Sequence, residues 1–363
     1  MSNSFRTTNS TGLINKDKKI NFTFNGTIYH GYEGDTLASA LIANGVHLVG
    51  RSFKYHRPRG FLGVGVEEPN AMVQLHDGNK SEPNIIATEV ELVEGLKAKS
   101  QNCWPSVQFD IGEINNVLNR FFPAGFYYKT FMWPKSFWMK IYEPFIRKAA
   151  GMGKAPLLPD PDRYEHNYEH CDVLVVGSGP SGLASALAAA KNGARVILAE
   201  DKPNFGGSLL TDEVTIGNMS GKEWASDTIS QLKSMPNVIL KKRSQVFGYY
   251  DHNMTVMIER VSDHIENPSK YTPRQRLHYI RAGEVIVSTG SIERPISFGN
   301  NDRPGIVLAS AAKEYMKVYE TLVGKKPIIF TNNDTAYSTA LEFIKNDIEP
   351  VSYTHLTLPT KVR

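Results

Sequence analysis

Alternation of apolar and polar positions marks the first folded part of the chain. Apolar and polar residues alternate over residues 20–24, Asn25-Gly26 is a strong turn signal, and residues 27–32 can form the second, antiparallel strand. A β-hairpin is therefore predicted. A helical period follows over residues 36–44, and Asp35 is placed to cap that helix.

Strand patterns return after the helix. Short strands are predicted near residues 71–75 and 85–93. The order of hairpin, helix and strands predicts a β-grasp domain over residues 17–100. Residues 1–16, rich in Ser, Thr and Asn, are predicted to be a disordered lead-in.

A different pattern begins near residue 173. A continuous apolar strand over residues 173–176 leads into Gly-Ser-Gly-Pro-Ser-Gly at 177–182. An Ala- and Leu-rich helix follows over 183–191, and a strand over 195–199 ends at Glu200. The glycines alone would equally fit a turn in another α/β unit. Strand, turn, helix, strand and acid in this order predict a Rossmann dinucleotide site.

Each residue of the fingerprint has a physical task. Gly177 makes the tight turn, Gly179 lets the pyrophosphate approach the backbone, and Gly182 lets helix and strand pack closely. Pro180 suits the first helical turn. An acid at Glu200 favours a ribose with a free 2′-hydroxyl, and hence NAD or FAD over NADP.

The pattern continues after the fingerprint. A polar helix and a series of strands are predicted at residues 221–235, 238–240, 245–250, 254–260 and 283–289. They predict an FAD/NAD(P)-binding Rossmann domain with a β-meander insertion over residues 169–300. Residues 301–350 are predicted to be a partial second nucleotide-type βα unit without a glycine fingerprint, so the two-dinucleotide fold is expected to be incomplete. The fold class is α/β plus α+β.

Two further segments stand apart. Residues 101–168 form an aromatic-rich connecting segment. It is either a surface that docks on another subunit, a segment packed over the chain's own core, or an interfacial membrane helix. Residues 351–363 do not continue the alternation of strands and helices, and we expect them to be a non-native tail.

Composition narrows the functional classes. The 363 residues carry a net charge of +4 spread along the chain, which indicates neither nucleic acid nor an anionic membrane. No apolar run reaches the about 18 residues of a membrane span, and the polar N-terminus is unlike a secretory signal. Two cysteines, Cys103 and Cys171, exclude a disulfide framework and fit a cytoplasmic protein. The histidines lack metal-ligand spacing, so no metal site is predicted.

Several sequence blocks together resemble one known family. They are GRSFKYHRPRGFLGVGVEE at 50–68, GSGPSG at 177–182, FGGSLL at 205–210, STGSIERP at 288–295 and FGNNDRPGIVLASAA at 298–312, in family order within residues 17–350. On these motifs the chain is similar to the alpha subunits of heterotetrameric sarcosine oxidases, and its C-terminus looks truncated. Other amine- and amino-acid-oxidising complexes are the relatives most easily confused with it.

The resemblance implies a complex that oxidises sarcosine to glycine, transfers the one-carbon unit to tetrahydrofolate and reduces O₂ to H₂O₂. The alpha subunit would bind NAD at the GSGPSG motif, and tetrahydrofolate on a C-terminal half missing here. The beta subunit would carry the amine-oxidising FAD, with FMN between alpha and beta. Beta, gamma and delta subunits are the implied partners, and this chain alone is expected to be inactive.

The resemblance also implies which residues surround the dinucleotide. Asp201 and Lys202 would lie beside the ribose, Val246 would offer backbone bonds to adenine, and Thr289-Gly290 would close over the phosphates. The full implied set is Gly177, Gly179, Pro180, Ser181, Gly182, Glu200, Asp201, Lys202, Gly207, Ser208, Val246, Thr289 and Gly290. No catalytic residue is identified.

The β-grasp region lacks the chemistry of its relatives. In related proteins this fold binds a [2Fe–2S] cluster through four cysteines. Residues 50–65 contain none, so no iron–sulfur cluster is expected. His56, Arg57 and Arg59 could instead bind a phosphate or a partner's carboxylate, or form local salt bridges.

Two other functions remain open at this point. One is an independent FAD-dependent oxidoreductase with FAD at the glycine fingerprint. The other is a non-catalytic assembly subunit of a related amine dehydrogenase or oxidase complex.

Overall fold

The computed structural model describes residues 5–7, 12–121, 125, 131–149 and 151–355, and the chain forms two compact units. One unit comprises Met1–Pro161 together with Glu293–Arg363, and the other comprises Asp162–Ile292. Within the described residues, no helix is long and apolar enough to cross a membrane.

A five-stranded sheet with one helix begins the first unit and confirms the predicted β-grasp fold. Its strands pair in the order β2-β1-β7-β5-β6, with β1 and β7 parallel and the other neighbours antiparallel, and β3 and β4 form a separate ribbon. The elements are β1 (Asn15–Phe24), β2 (Thr27–Glu33), α1 (Leu37–Ala43), β3 (Gly50–Arg51), β4 (Pro58–Arg59), β5 (Met72–Leu75), β6 (Glu82–Ile86) and β7 (Lys97–Ser100). Every residue of α1 is buried.

The start of the chain differs from the prediction. Thr36, not Asp35, caps α1, because its hydroxyl accepts the Ser39 N–H at 3.1 Å. Asp35 instead forms an ion pair with Arg6, and the Thr7 N–H donates to the Glu320 carbonyl at 2.9 Å. Residues 5–7 are therefore held by tertiary contacts rather than disordered, while residues 1–4 and 8–11 lie outside the described part of the chain.

The aromatic-rich segment forms short helices: α2 (Ile114–Val117), a π-helical turn (Trp138–Tyr142) and α3 (Glu143–Ala149). Many of its large apolar side chains are exposed, namely Trp104, Phe109, Ile114, Val117, Phe121, Trp133, Met139 and Phe145. This exposure is not the pattern of a segment packed over its own core. Phe122, Phe126, Tyr127 and Tyr128, which belong to the same aromatic-rich segment, lie outside the described residues.

The second unit has the predicted Rossmann-type architecture. Its six-stranded sheet has the order β12-β9-β8-β15-β14-β13, in which the first four strands are parallel and the last two form an antiparallel meander. The elements are β8 (Tyr164–Val176), α4 (Pro180–Lys191), β9 (Val196–Ala199), the small ribbon β10 (Thr215–Ile216) and β11 (Met219–Ser220), α5 (Gly221–Ser234), β12 (Val238–Lys241), β13 (Ser244–Tyr250), β14 (Met254–Arg260) and β15 (Gln275–Val287). Leu183 and Leu232 of the two helices pack on Val175 and Leu198 of the sheet.

Two strands of this sheet are longer than the sequence predicted. β8 and β15 pair in one constant register from Tyr164 with Gln275 to Val176 with Val287. β8 therefore crosses the predicted domain boundary at residue 169, and β15 begins at Gln275, well before the strand predicted over residues 283–289. The added parts have few aliphatic residues, so hydrophobic pattern alone did not reveal them.

The remaining elements belong to the first unit. They are α6 (Ala309–Lys317), β16 (Ile328–Thr331), α7 (Tyr337–Lys345) and β17 (Ser352–His355), with β17 pairing in parallel to β16. The fully buried Tyr315 of α6 donates its hydroxyl hydrogen to the Gly63 carbonyl at 2.9 Å, which ties α6 to the β-grasp part. The origin of residues 351–363 stays a prediction, and residues 356–363 lie outside the described residues.

Candidate functional site

The first part of the site is the glycine turn, residues 177–182, between β8 and α4. Gly177 has a φ of +94°, and a Cβ there would lie 2.4 Å from the Ser288 carbonyl oxygen. A Cβ at Gly182 would lie 1.9 Å from the carbonyl oxygen of Gly177. Both positions therefore require glycine for the turn to close against β8 and the end of β15.

Gly179 differs from its two neighbours. It is the N-cap of α4 with an ordinary φ of −66°, and a Cβ there would meet no atom within 4 Å. Pro180 occupies the first helical turn and no side chain caps the helix, so the turn presents backbone N–H groups beside open space. That arrangement suits the pyrophosphate of a dinucleotide.

A second glycine segment lies against this turn. Gly207 has a φ of +53°, and its Cβ would lie 2.8 Å from the Gly179 Cα. Ser181, Gly207 and Ser208 are exposed, whereas Gly206 is buried. The structure thus brings the predicted residues Gly179 and Gly207 together at one open edge of the sheet.

Ser178 connects three parts of the site. It is fully buried, its hydroxyl donates to the Glu200 carboxylate, and that hydroxyl accepts the Gly206 N–H at 3.0 Å. The Ser178 N–H also donates to Glu200 at 2.9 Å. Ser178 has no predicted role; the signal for it in the sequence is a hydroxyl residue between two glycines of the fingerprint.

Glu200 lies at the carboxyl end of β9, as predicted. Burial, together with a hydrogen bond and repulsion from Asp201, raises its pKa to about 7. The Lys202 N–H donates to its second carboxylate oxygen at 3.1 Å. Glu200 therefore changes charge near neutral pH, at the position for which the sequence predicts a contact to a ribose hydroxyl.

The outer predicted residues are held by backbone contacts. The Arg260 guanidinium donates to the Asp201 carbonyl at 2.6 Å, and the Arg243 N–H donates to the Lys202 carbonyl at 3.2 Å. Val246 is half-buried on β13, next to a bulge in the pairing of β13 with β14. No described contact of Val246 reaches the glycine turn.

Thr289 and Gly290 follow the end of β15. The preceding Ser288 N–H donates to the Val176 carbonyl at 2.8 Å, which places this turn beside the glycine turn. Thr289 and Gly290 are exposed, Gly290 has a φ of +70°, and a Cβ there would meet no atom within 4 Å.

A second loop that gathers backbone N–H groups lies in the β-grasp part. In this grasp loop, residues 62–71, the N–H groups of Leu62, Gly63, Asn70 and Ala71 all donate to the Glu68 carboxylate at 2.6–3.1 Å. Glu67 accepts the N–H groups of Val64 and Gly65 at 2.7 and 3.1 Å. Burial raises the pKa of Glu68, and the four N–H bonds oppose that shift.

The basic residues His56, Arg57 and Arg59 are paired within the chain. Arg57 binds Asp302 through two nitrogens, each at 2.7 Å, and Arg59 forms a further ion pair with Asp302. His56 Nδ1 lies 2.6 Å from the Asp110 carboxylate. Of the two interpretations of these residues, the structure matches the salt-bridged one, although Asp302 is far away in sequence.

Family models match both units. Residues 17–103 match a family described as a 2Fe-2S iron-sulfur cluster binding domain, and residues 172–246 match one described as FAD dependent oxidoreductase. The first stretch contains one cysteine, Cys103, whereas such a cluster takes four ligands. The residues present therefore do not fit the cluster.

One solved structure shares the fold of the chain. The L-proline dehydrogenase from P. horikoshii matches with a TM-score of 0.62 at 19% identity, over 100% of this chain and 57% of its own. At that identity the likeness shows the fold alone.

The curated relatives agree with the resemblance stated from the sequence. Sarcosine oxidase subunit alpha of Rhizobium meliloti (strain 1021) is 51% identical over 94% of this chain, and that of Corynebacterium sp. (strain U-96) is 32% identical over 91%. The chain spans 34% and 30% of their respective lengths. Over nearly its whole length, this chain is therefore a relative of the sarcosine oxidase alpha subunits and spans about a third of such a subunit.

Proposed function

We propose that the chain is an NAD-binding oxidoreductase subunit: part of the alpha subunit of a heterotetrameric sarcosine oxidase. It supplies a dinucleotide site and a scaffold, not the amine-oxidising flavin. The observation that carries the proposal is the open Gly179 position beside the uncapped start of α4, in a chain 51% identical to a sarcosine oxidase alpha subunit.

The proposed complex converts sarcosine to glycine, passes the one-carbon unit to tetrahydrofolate and reduces O₂ to H₂O₂. Its beta, gamma and delta subunits are the proposed partners, with FAD and FMN in the assembled complex and tetrahydrofolate on a part of the alpha subunit outside this chain. The chain by itself would then be inactive. We place the complex in the cytoplasm and propose that the β-grasp domain holds no iron–sulfur cluster.

Different residues of the chain would bind different parts of the dinucleotide. The N–H groups of the first turn of α4 would bind the pyrophosphate, and Gly207 with Ser208 would border it. Glu200, held by Ser178, would accept a hydrogen bond from the adenosine ribose. Bound NAD would supply a hydride-accepting nicotinamide.

FAD at the same site is the second candidate. The match of residues 172–246 to a family described as FAD dependent oxidoreductase favours it. FAD and NAD share the adenosine and pyrophosphate that this site would hold, so the glycine turn does not discriminate between them. The chain would then be an independent flavoprotein.

Nucleotide content of the assembled protein tests the proposal. The chain, co-expressed with beta, gamma and delta subunits, is purified and denatured, and released nucleotides are identified by absorbance and mass. We expect NAD in wild type and its loss in Gly179→Val. The matched control is Gly299→Val, where a Cβ also meets no atom within 4 Å.

Three other outcomes of this experiment would contradict the proposal. FAD retained by this chain without its partners would identify an independent flavoprotein and overturn the NAD assignment. Assembly without any nucleotide on this chain would identify a non-catalytic assembly subunit. NAD retained by Gly179→Val would refute the assigned position.

A further inference from the structure

The first half of β8 has its polar and aromatic faces reversed. Its residues 164–170 read Tyr-Glu-His-Asn-Tyr-Glu-His. Glu165, Asn167 and Glu169 are half-buried, whereas Tyr164, His166, Tyr168 and His170 are exposed. A sheet with one wet face normally presents polar residues to water and aromatic residues to the core. The aromatic side of this strand is therefore the unusual one.

Ion pairs explain how the inner side holds charged groups. His278 of β15 is completely buried, with Nδ1 2.9 Å from Glu169 and Nε2 2.7 Å from Glu259. Burial of the ring favours its neutral form, but the two carboxylates outweigh this and raise the pKa of His278. Lys241 lies 3.1 Å from Glu169, and Arg276 lies 2.9 Å from Glu165. The inner charged residues Glu165 and Glu169 are thus paired.

The outer side carries a row of stacked rings. Tyr168 stacks on Tyr279 of β15 with ring centroids 5.0 Å apart and planes 13° apart, and His166 stacks on the same Tyr279 at 6.0 Å. The side chain of Tyr168 is 77% exposed. We call seven outward positions of the two strands the meander face: Tyr164, His166, Tyr168, His170, Leu277, Tyr279 and Arg281.

The charge of the meander face has one sign. Its basic side chains are His166, His170 and Arg281, and none of its seven positions carries a carboxylate. A second copy of the same face would bring like groups together. A surface with apolar groups at its centre and carboxylates around them would complement both the rings and the charge.

From this placement we propose that the meander face is a docking surface for a partner protein with an apolar centre and an acidic rim. The proposal rests on the proposed function in one respect: the partner is another subunit of the complex. Docking would remove the stacked tyrosines from water while Arg281 gains a carboxylate partner.

Two substitutions and a matched control test the surface in the co-expressed complex. Tyr168→Glu places a carboxylate in the centre of the face, and Arg281→Glu reverses the charge at its edge. Tyr271→Glu is the control, because Tyr271 is 74% exposed and lies in the connection between β14 and β15, outside the face. Co-purification through a tag on this chain and native mass report assembly, and dinucleotide content reports the fold of the unit.

We expect Tyr168→Glu to reduce co-purified partner at least about tenfold, as for a central interface aromatic. Arg281→Glu should reduce it less and weaken its dependence on salt, and Tyr271→Glu should leave it unchanged. All three variants should keep their dinucleotide.

Full assembly of Tyr168→Glu and Arg281→Glu would overturn the proposal. So would self-association of the chain alone that Tyr168→Glu abolishes, because the occupant would then be a second copy. The two proposals also fail separately. If the wild-type complex contains no dinucleotide but Tyr168→Glu still prevents assembly, the proposed nucleotide function is refuted and the docking surface is supported. If both variants assemble fully and contain NAD, the docking surface is refuted and the nucleotide function is supported.

Discussion

The glycine turn and the grasp loop are two loops that gather backbone N–H groups and use them differently. In the glycine turn, Gly179 stands at an uncapped helix start where a Cβ would meet nothing within 4 Å. In the grasp loop, Glu67 and Glu68 accept six N–H groups from the loop itself. A Cβ at Gly63 would lie 2.6 Å from Glu67. The glycine turn leaves space for a bound anion, whereas the grasp loop supplies two carboxylates, Glu67 and Glu68, from its own sequence.

The difference shows what converts a ligand-binding loop into a structural one. Backbone donors in a tight loop need an acceptor, whether a ligand, a cluster or a side chain. The β-grasp part matches a cluster-binding family yet contains one cysteine, and carboxylates satisfy its loop. Changes to the grasp loop should therefore affect stability, whereas changes at Gly179 should affect ligand binding.

The largest effect is expected for Gly182→Ala. The new Cβ would lie 1.9 Å from the backbone oxygen of Gly177, which no side-chain movement relieves. We expect a loss of about 4 kcal/mol or more in unfolding free energy, together with loss of dinucleotide, measured by denaturant unfolding and nucleotide content. Gly179→Ala should lose dinucleotide with little change in stability. Equal destabilisation by both substitutions would contradict the distinction between the two glycines.

A smaller effect is expected for Glu68→Ala. Four N–H groups, two of them buried and two partly buried, would lose their acceptor, so we expect a loss of about 3 kcal/mol in unfolding free energy with dinucleotide content unchanged. Glu67→Ala is the control, because Glu67 is half-buried and accepts two N–H groups, and it should cost about 1 kcal/mol. If the two variants unfold alike, the buried carboxylate does not hold the loop.

The sequence predicted the parts of the fold where local signals are strong. The β-grasp order, the fingerprint from β8 to Glu200 and the meander strand β14 (Met254–Arg260) follow from apolar period and glycine spacing. It missed the first half of β8, because Tyr-Glu-His-Asn-Tyr-Glu-His has no aliphatic residue and its inward side is held by ion pairs from distant strands. It also missed Ser178, whose role depends on Glu200 and Gly206 converging in space.

The smallest effect concerns the charge of Glu200. The pKa of Glu200, about 7, lies above the ordinary value. The contribution of its protonated form to the free energy of unfolding is therefore complete below about pH 4.5 and is lost as pH rises through 7. Ribose hydroxyls donate more strongly to the ionised form. Dinucleotide affinity should therefore rise between pH 6 and 8, by up to about tenfold per pH unit for one linked proton.

Calorimetric titration of the assembled protein with NAD across this range measures the affinity change. Glu200→Gln keeps the shape of the side chain without its titration and should flatten the profile. An unchanged slope in Glu200→Gln would assign the pH dependence to another group.

The constant register of β8 and β15 has a consequence for how this chain can vary. Tyr168 and the glycine turn are parts of one strand and its end, and side chains along a strand alternate with a period of two. Deleting one residue between them would turn either the tyrosines inward and the glutamates outward, or Gly177 away from Ser288. Only insertions or deletions of an even number of residues between Tyr168 and the glycine turn would therefore preserve both the meander face and the turn.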